Sequence, residues 1–217
     1  MSDAIQALPL LLQGALVTLV LSLVAMVNGL VLGLVAALLK LSRNRALSYL
    51  AGAYVSAIRG TPLLVQLFLW YYALPQVGVT LAPFSAGIIG LSVNVGAYLA
   101  ESFRAAIQSV DRGQFEASYS LGMTHAATLR RIVLPQSIRT ALPTIGNSFI
   151  GLVKDSSLVS VITVRELLAN GQLTIARTFQ ALPILLEVAV IYWLLCQAFA
   201  TGQSWLERRS ARHVRVA

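Results

Sequence analysis

The sequence predicts an all-α polytopic membrane protein with about five transmembrane helices, and three observations carry that expectation. The 217 residues are 57% hydrophobic and 11% charged, against roughly 25% charged in an ordinary soluble domain. No charged residue occurs between Asp3 and Lys40, nor between Arg59 and Glu101. A bilayer core of about 30 Å needs about 20 apolar residues at a rise of about 1.5 Å each, so both gaps are long enough to span. The basic residues, finally, cluster between apolar runs, as the positive-inside rule distributes them. The formal charge of +8 therefore forms no single patch interleaved with aromatics, and no nucleic-acid partner is expected. Cys196, the single cysteine, lies in an apolar run, which excludes an intrachain disulfide and a Cys-based metal site.

The elements follow in order. The first span falls within residues 9–39; its run exceeds the apolar region of a signal peptide, so it is expected to stay uncleaved. Lys40, Arg43 and Arg45 mark the next loop. The second span is placed at about 52–74, with Arg59-Gly60-Thr61-Pro62 read as a bend near its inner end and Arg59 snorkelling. Pro75, Gly78 and Pro83 punctuate a short uncharged turn. The third span covers about 84–108, and a polar segment fills 111–136. A fourth span lies at about 138–160, a short helix of intermediate polarity within 163–180, and a fifth span at about 182–203. The tail carries Arg208, Arg209, Arg212 and Arg215.

Five spans put the two termini on opposite sides of the membrane. Placing the 40–45 loop, the 111–136 segment and the tail inside puts ten basic residues in the cytoplasm; the reverse leaves Lys154, Arg165 and Arg177 there, a bias of ten against three. The expected orientation is N-terminus outside and C-terminus cytoplasmic.

The 111–136 segment is too polar to span. Asp111 with Gln114 resembles a capping box that starts one helix. Gly122 can take the left-handed conformation that ends it. Thr124 offers an N-cap hydroxyl for a second helix, expected to end before Pro135. Glu116 in the first turn, and Arg130 with Arg131 in the last, suit the helix dipoles.

These residues carry a family resemblance. Glu116-Ala117-Ser118, three residues, Gly122, nine residues, then Ile132-Val133-Leu134-Pro135 resembles the EAA motif, EAA-x3-G-x9-I-x-L-P, of ABC importer permeases. Ser118 stands where the pattern has Ala, a small-for-small change. RGTPLLVQLF (59–68), GAYLAESFRAAI (96–107) and LVKDSSLV (152–159) resemble the polar amino-acid branch of that family, the histidine/glutamine/arginine/cystine type. The resemblance implies a single transmembrane permease domain over 1–217 in a bacterial inner membrane. It further implies that 111–136 forms cytoplasmic coupling helices docking on an ABC ATPase subunit. Glu116, Ala117 and Ser118 would lie on the docking helix, with Gly122 at the corner. Ile132, Leu134 and Pro135 would anchor the return to the fourth span.

Polar groups within spans are costly and usually face the bundle interior. Asn94, Tyr98 and Glu101 recur at helical spacing and are candidates to line a substrate pathway, although Arg104, three residues on, offers Glu101 a bland ion-pair partner. Lys154 and Asp155 interrupt the fourth span before Ser156 and Ser157; a broken span suits a zwitterion, while a helix end meeting water explains it equally. Gln66 has the same two readings, pathway or structure, and Glu187 has no local partner. His125 and His213 are too far apart to suggest a metal site.

No GxxxxGK[ST] loop, Ser/His or Asp pair, or HExxH occurs, so neither ATP hydrolysis nor intramembrane catalysis is expected of this chain. It is expected to bind no cofactor itself, with ATP and Mg used by the partner ATPase. The other implied partners are a second permease subunit, identical or homologous, an external solute-binding protein, membrane lipid and an amino-acid substrate. A secondary amino-acid transporter or channel working without an ATPase is the alternative; it lacks support from an inverted repeat.

Overall fold

The computed structural model describes residues 2–211, so Arg212, His213 and Arg215 lie outside the described residues. Every regular element in them is helical. Helix α1 (Ser2–Lys40) is followed by α2 (Arg45–Arg59), α3 (Leu63–Phe68, continuing through one π and one 3-10 turn to Val77) and α4 (Pro83–Gln108). Then come α5 (Arg112–Ser120), α6 (His125–Thr128), α7 (Leu134–Asp155), α8 (Leu167–Thr178) and α9 (Ala181–Ala211). Four stretches are long and apolar enough to cross a membrane: Ala7–Lys40, Pro83–Gln108, His125–Ile162 and Ala181–Arg209.

The stretch expected as a span at 52–74 is interrupted where the sequence places a bend, at Arg59-Gly60-Thr61-Pro62. It breaks at Gly60–Pro62 into α2 and a shorter apolar helix, Leu63–Val77. Pro62 removes an amide hydrogen and disfavours helical backbone before it, which splits the run. The carbonyls freed at the break have partners: the Gln66 amide donates to the Ile58 oxygen at 2.8 Å and to the Thr61 oxygen at 3.1 Å.

The centre of the bundle is α1 packed along α4. Gly29 and Gly33, one turn apart, let the two backbones approach. A Cβ on Gly33 would meet the Leu99 Cβ at 2.8 Å and the Gly96 carbonyl oxygen at 2.9 Å. Small residues four apart allow this closeness in lipid, where dispersion rather than water exclusion holds helices together. Helix α8 leans on α1 through a buried polar knot. Glu166, fully buried, caps α8 by accepting from the Leu168 and Ala169 amides at 2.9 and 2.7 Å. It also accepts from the Tyr192 hydroxyl at 2.6 Å and the Thr18 hydroxyl at 3.3 Å, tying α1, α8 and α9 together.

Candidate functional site

Two sites stand out, a hairpin at one end of the bundle and a cavity inside it. The hairpin is α5 and α6 around Gly122. Asp111 caps α5 by accepting from the Gly113 amide at 2.7 Å. The capping box is only half made, because Gln114 returns no side-chain bond to the cap and instead lies 3.5 Å from the Gln136 amide nitrogen, as its acceptor. Gly122 takes φ +76°, the Gly122 amide donates to the Tyr119 oxygen at 2.9 Å, and the Met123 amide donates to the Ser118 oxygen at 3.1 Å. These are the two bonds that close a helix on a left-handed glycine. Thr124 caps α6, accepting from the Ala127 amide at 3.3 Å.

Across the corner, the Tyr119 hydroxyl and the His125 Nδ1 are 2.8 Å apart. Glu116 and Ala117 are exposed, while Ser118 is buried and donates to the Gln114 carbonyl at 2.6 Å. Leu121 at the tip is 82% exposed, an apolar side chain the sequence reading passed over. Its signal was a leucine in a segment too polar to enter lipid.

The second helix does not end before Pro135, correcting that expectation. One continuous helix runs from His125 through a π turn at Leu129–Val133 into α7. Pro135 falls in the first turn after the wide π turn, where its missing amide hydrogen is tolerated. Ile132 and Leu134 are half-buried beside the buried Val133, and Pro135 is exposed.

The far end of this helix meets α4 at a cavity of about 320 Å³, within the size range of small-molecule sites. Its wall includes Thr61 from the break before α3, Leu63 from the start of α3, Asn94 and Tyr98 from α4, and Ser148 and Asp155 from α7. Asp155 makes neither a salt bridge nor a side-chain hydrogen bond among the described residues, so its carboxylate is available to a ligand. The α-helix ends at Asp155 and tightens into a 3-10 turn over Ser156–Ile162.

The other expected pathway residues do not line this cavity. Gln66 is 3% exposed and sits behind the wall, where its carbonyl accepts from the Asn94 amide at 3.1 Å and so orients Asn94. Ser156 is buried, donating to the Val153 carbonyl at 2.7 Å. Lys154 is exposed and outside the cavity wall. Glu101 lies further along α4, ion-paired with Lys40 and with Arg104. No group of three or more His, Cys, Asp or Glu is placed to hold a metal among the described residues.

This geometry can be set beside known proteins. The family of binding-protein-dependent transport system inner membrane components matches residues 29–212. The L-cystine transport system permease protein TcyB of Bacillus subtilis (strain 168) is 46% identical, covering 95% of this chain and 88% of that protein. The probable glutamine ABC transporter permease protein GlnM of the same organism is 36% identical, covering 88% and 89%. Among solved structures, an amino acid ABC transporter crystallised with histidines is 40% identical over 94% of this chain and 96% of the other, with a TM-score of 0.89. A chain of the MetNI methionine transporter, at 22% identity and a TM-score of 0.79, shares the fold.

Proposed function

Because the chain belongs to the family of binding-protein-dependent transport system inner membrane components, we propose that it is the membrane-spanning permease subunit of an ATP-driven importer of polar amino acids. The observation that carries the mechanism is the unbroken helix joining the hairpin to the cavity. His125 begins it beside the Gly122 corner, and Ser148 and Asp155 line the cavity at its other end. A rigid element with one end on an ATPase and the other at the substrate transmits closure as displacement, which a flexible loop does not. In this reading Glu116, Ala117, Leu121 and Gly122 form the docking surface, and Ile132, Leu134 and Pro135 carry the motion into α7.

In the cavity, the Asp155 carboxylate receives the ammonium of a zwitterion, Asn94 and Tyr98 offer polar contacts, and Gln66 holds Asn94 in place. ATP and Mg are handled by a separate ATPase chain. An external solute-binding protein delivers the substrate, and a second permease subunit completes the pore. The amino acid belongs to the group that the relatives' names span, with cystine and glutamine the first to test. The membrane is the bacterial inner membrane, with the hairpin and C-terminus cytoplasmic and the N-terminus outside.

The test is copurification followed by reconstitution. The wild-type chain should retain its ATPase partner and support ATP-dependent uptake into proteoliposomes. Gly122→Arg should insert normally and lose uptake. Unchanged coupling in that variant would refute the docking role, and uptake indifferent to ATP would favour a secondary transporter or channel.

A further inference from the structure

Arg59 and the cavity it lines play no part in the mechanism above. The second cavity, of about 460 Å³, is bounded by Lys40, Val55, Ser56, Arg59, Tyr98 and Glu101. Tyr98 lines both cavities, so its ring is part of the wall between them. Along α4, Asn94 faces the first cavity, Tyr98 both, and Glu101 the second, advancing toward the hairpin end. The face spans about 10 Å at 1.5 Å per residue.

The charges in the second cavity do not balance. Its only carboxylate, Glu101, is ion-paired with Lys40 and accepts two bonds from Arg104, at 3.0 and 2.8 Å. Arg59 has no salt bridge among the described residues; its guanidinium carbon rests 5.3 Å from the centroid of the Tyr98 ring. A ring face holds a guanidinium more weakly than a carboxylate does when two parallel hydrogen bonds form.

We propose that the second cavity is a carboxylate-binding site on the release side of the pathway, in which Arg59 leaves the Tyr98 ring to take the α-carboxylate of the departing amino acid. The inference rests on the amino-acid reading above and adds to it a second station of opposite charge. At the first station Asp155 holds the ammonium; at the second Arg59 holds the carboxylate, and Tyr98 separates them. The planar guanidinium supplies two parallel donors in the geometry a carboxylate accepts, which a compact ammonium does not.

The experiment has two stages. Proteoliposomes containing the complete importer are tested with cystine, glutamine and arginine to identify which amino acid is moved. Failure of all three to enter with ATP would overturn the amino-acid reading itself. For the amino acid identified, its affinity and that of its α-carboxamide are measured by calorimetry on the purified permease–ATPase complex. The wild type should prefer the acid at least tenfold. Arg59→Gln should bind both alike, and Arg59→Lys should recover part of the preference. A second variant leaves Arg59 in place: Ser56 is exposed, lines the same cavity and lies three residues before Arg59 on one helix face. Ser56→Asp should satisfy Arg59 internally and abolish the preference, whereas Ser56→Asn should keep it. No preference in the wild type, or an undiminished one in Arg59→Gln or Ser56→Asp, overturns the proposal.

Discussion

Gln66 shows how a polar side chain in an apolar helix can serve the backbone before it serves a ligand. Its amide donates to the carbonyls of Ile58 and Thr61, and its own carbonyl accepts from Asn94. These acceptors are only partly buried, and leaving such groups unpaired costs up to about 1–3 kcal/mol. Gln66→Leu is therefore expected to lower the melting temperature of the purified chain by several degrees. Asp155→Asn should leave melting unchanged and reduce uptake tenfold or more, since no protein partner depends on that carboxylate. Scanning fluorimetry beside an uptake assay checks both, and a Gln66→Leu protein that melts like the wild type would undo the structural assignment. The two residues also differ in legibility. Asp155 announced itself as a charge that interrupts a span, whereas Gln66 had two readings, because the orphaned carbonyls it serves exist only once the chain breaks at Pro62. Glu166 was less visible still. In sequence it is one more charge in a segment of mixed polarity, and only folding brings Thr18 and Tyr192 to it from 148 residues before and 26 after.

The hairpin is the element most fully legible beforehand, because its determinants are local. Asp111, Gly122 and Thr124 are a cap, a left-handed corner and a cap at short spacing, and the structure uses each that way. The passage of the fourth helix through Pro135 was misjudged for the opposite reason. A proline's effect depends on whether the preceding turn can widen, which local residue preferences do not report. What the hairpin presents outward follows from exposure: Leu121 stands 82% exposed at its tip beside Tyr119, half-exposed and bound to His125. A buried Leu side chain is worth about 1.5–3 kcal/mol relative to an exposed one, and about 1.4 kcal/mol is a tenfold change in affinity. Leu121→Asp should thus weaken ATPase retention tenfold or more while leaving insertion and melting of the permease alone unchanged. Retention at wild-type strength on a tagged-chain pull-down would show that the tip does not enter the partner.

Among the described residues the basic side chains gather toward one end of the bundle, the end that the proposed orientation puts in the cytoplasm. Helix α1 delivers Lys40 to the hairpin end, and α4 ends there just before Asp111. Helix α9 runs antiparallel to α7, since Phe199 meets Phe149 edge to face and Gln203 donates to the Pro143 carbonyl, so Arg208 and Arg209 return to the same end. Arg130 and Arg131 begin the helix that leaves it. The opposite end holds Lys154, Arg165 and Arg177, beyond or near the last turn of α7 and along α8. Basic residues flanking spans are retained on the cytoplasmic side, and an ATPase that docks on the hairpin must find it where ATP is. The orientation proposed above meets both requirements, insertion and energy supply, at once. A reporter fused after Ala217 and active only in the cytoplasm is the expected result, together with protection of the C-terminus from protease added outside intact cells. Neutralising Arg130 and Arg131 together leaves the remaining cations of that end in the majority, so the topology should hold while the hairpin's own contacts are altered. A C-terminal reporter active only outside the cytoplasm would place the hairpin away from ATP, and with it the whole coupling mechanism would fail.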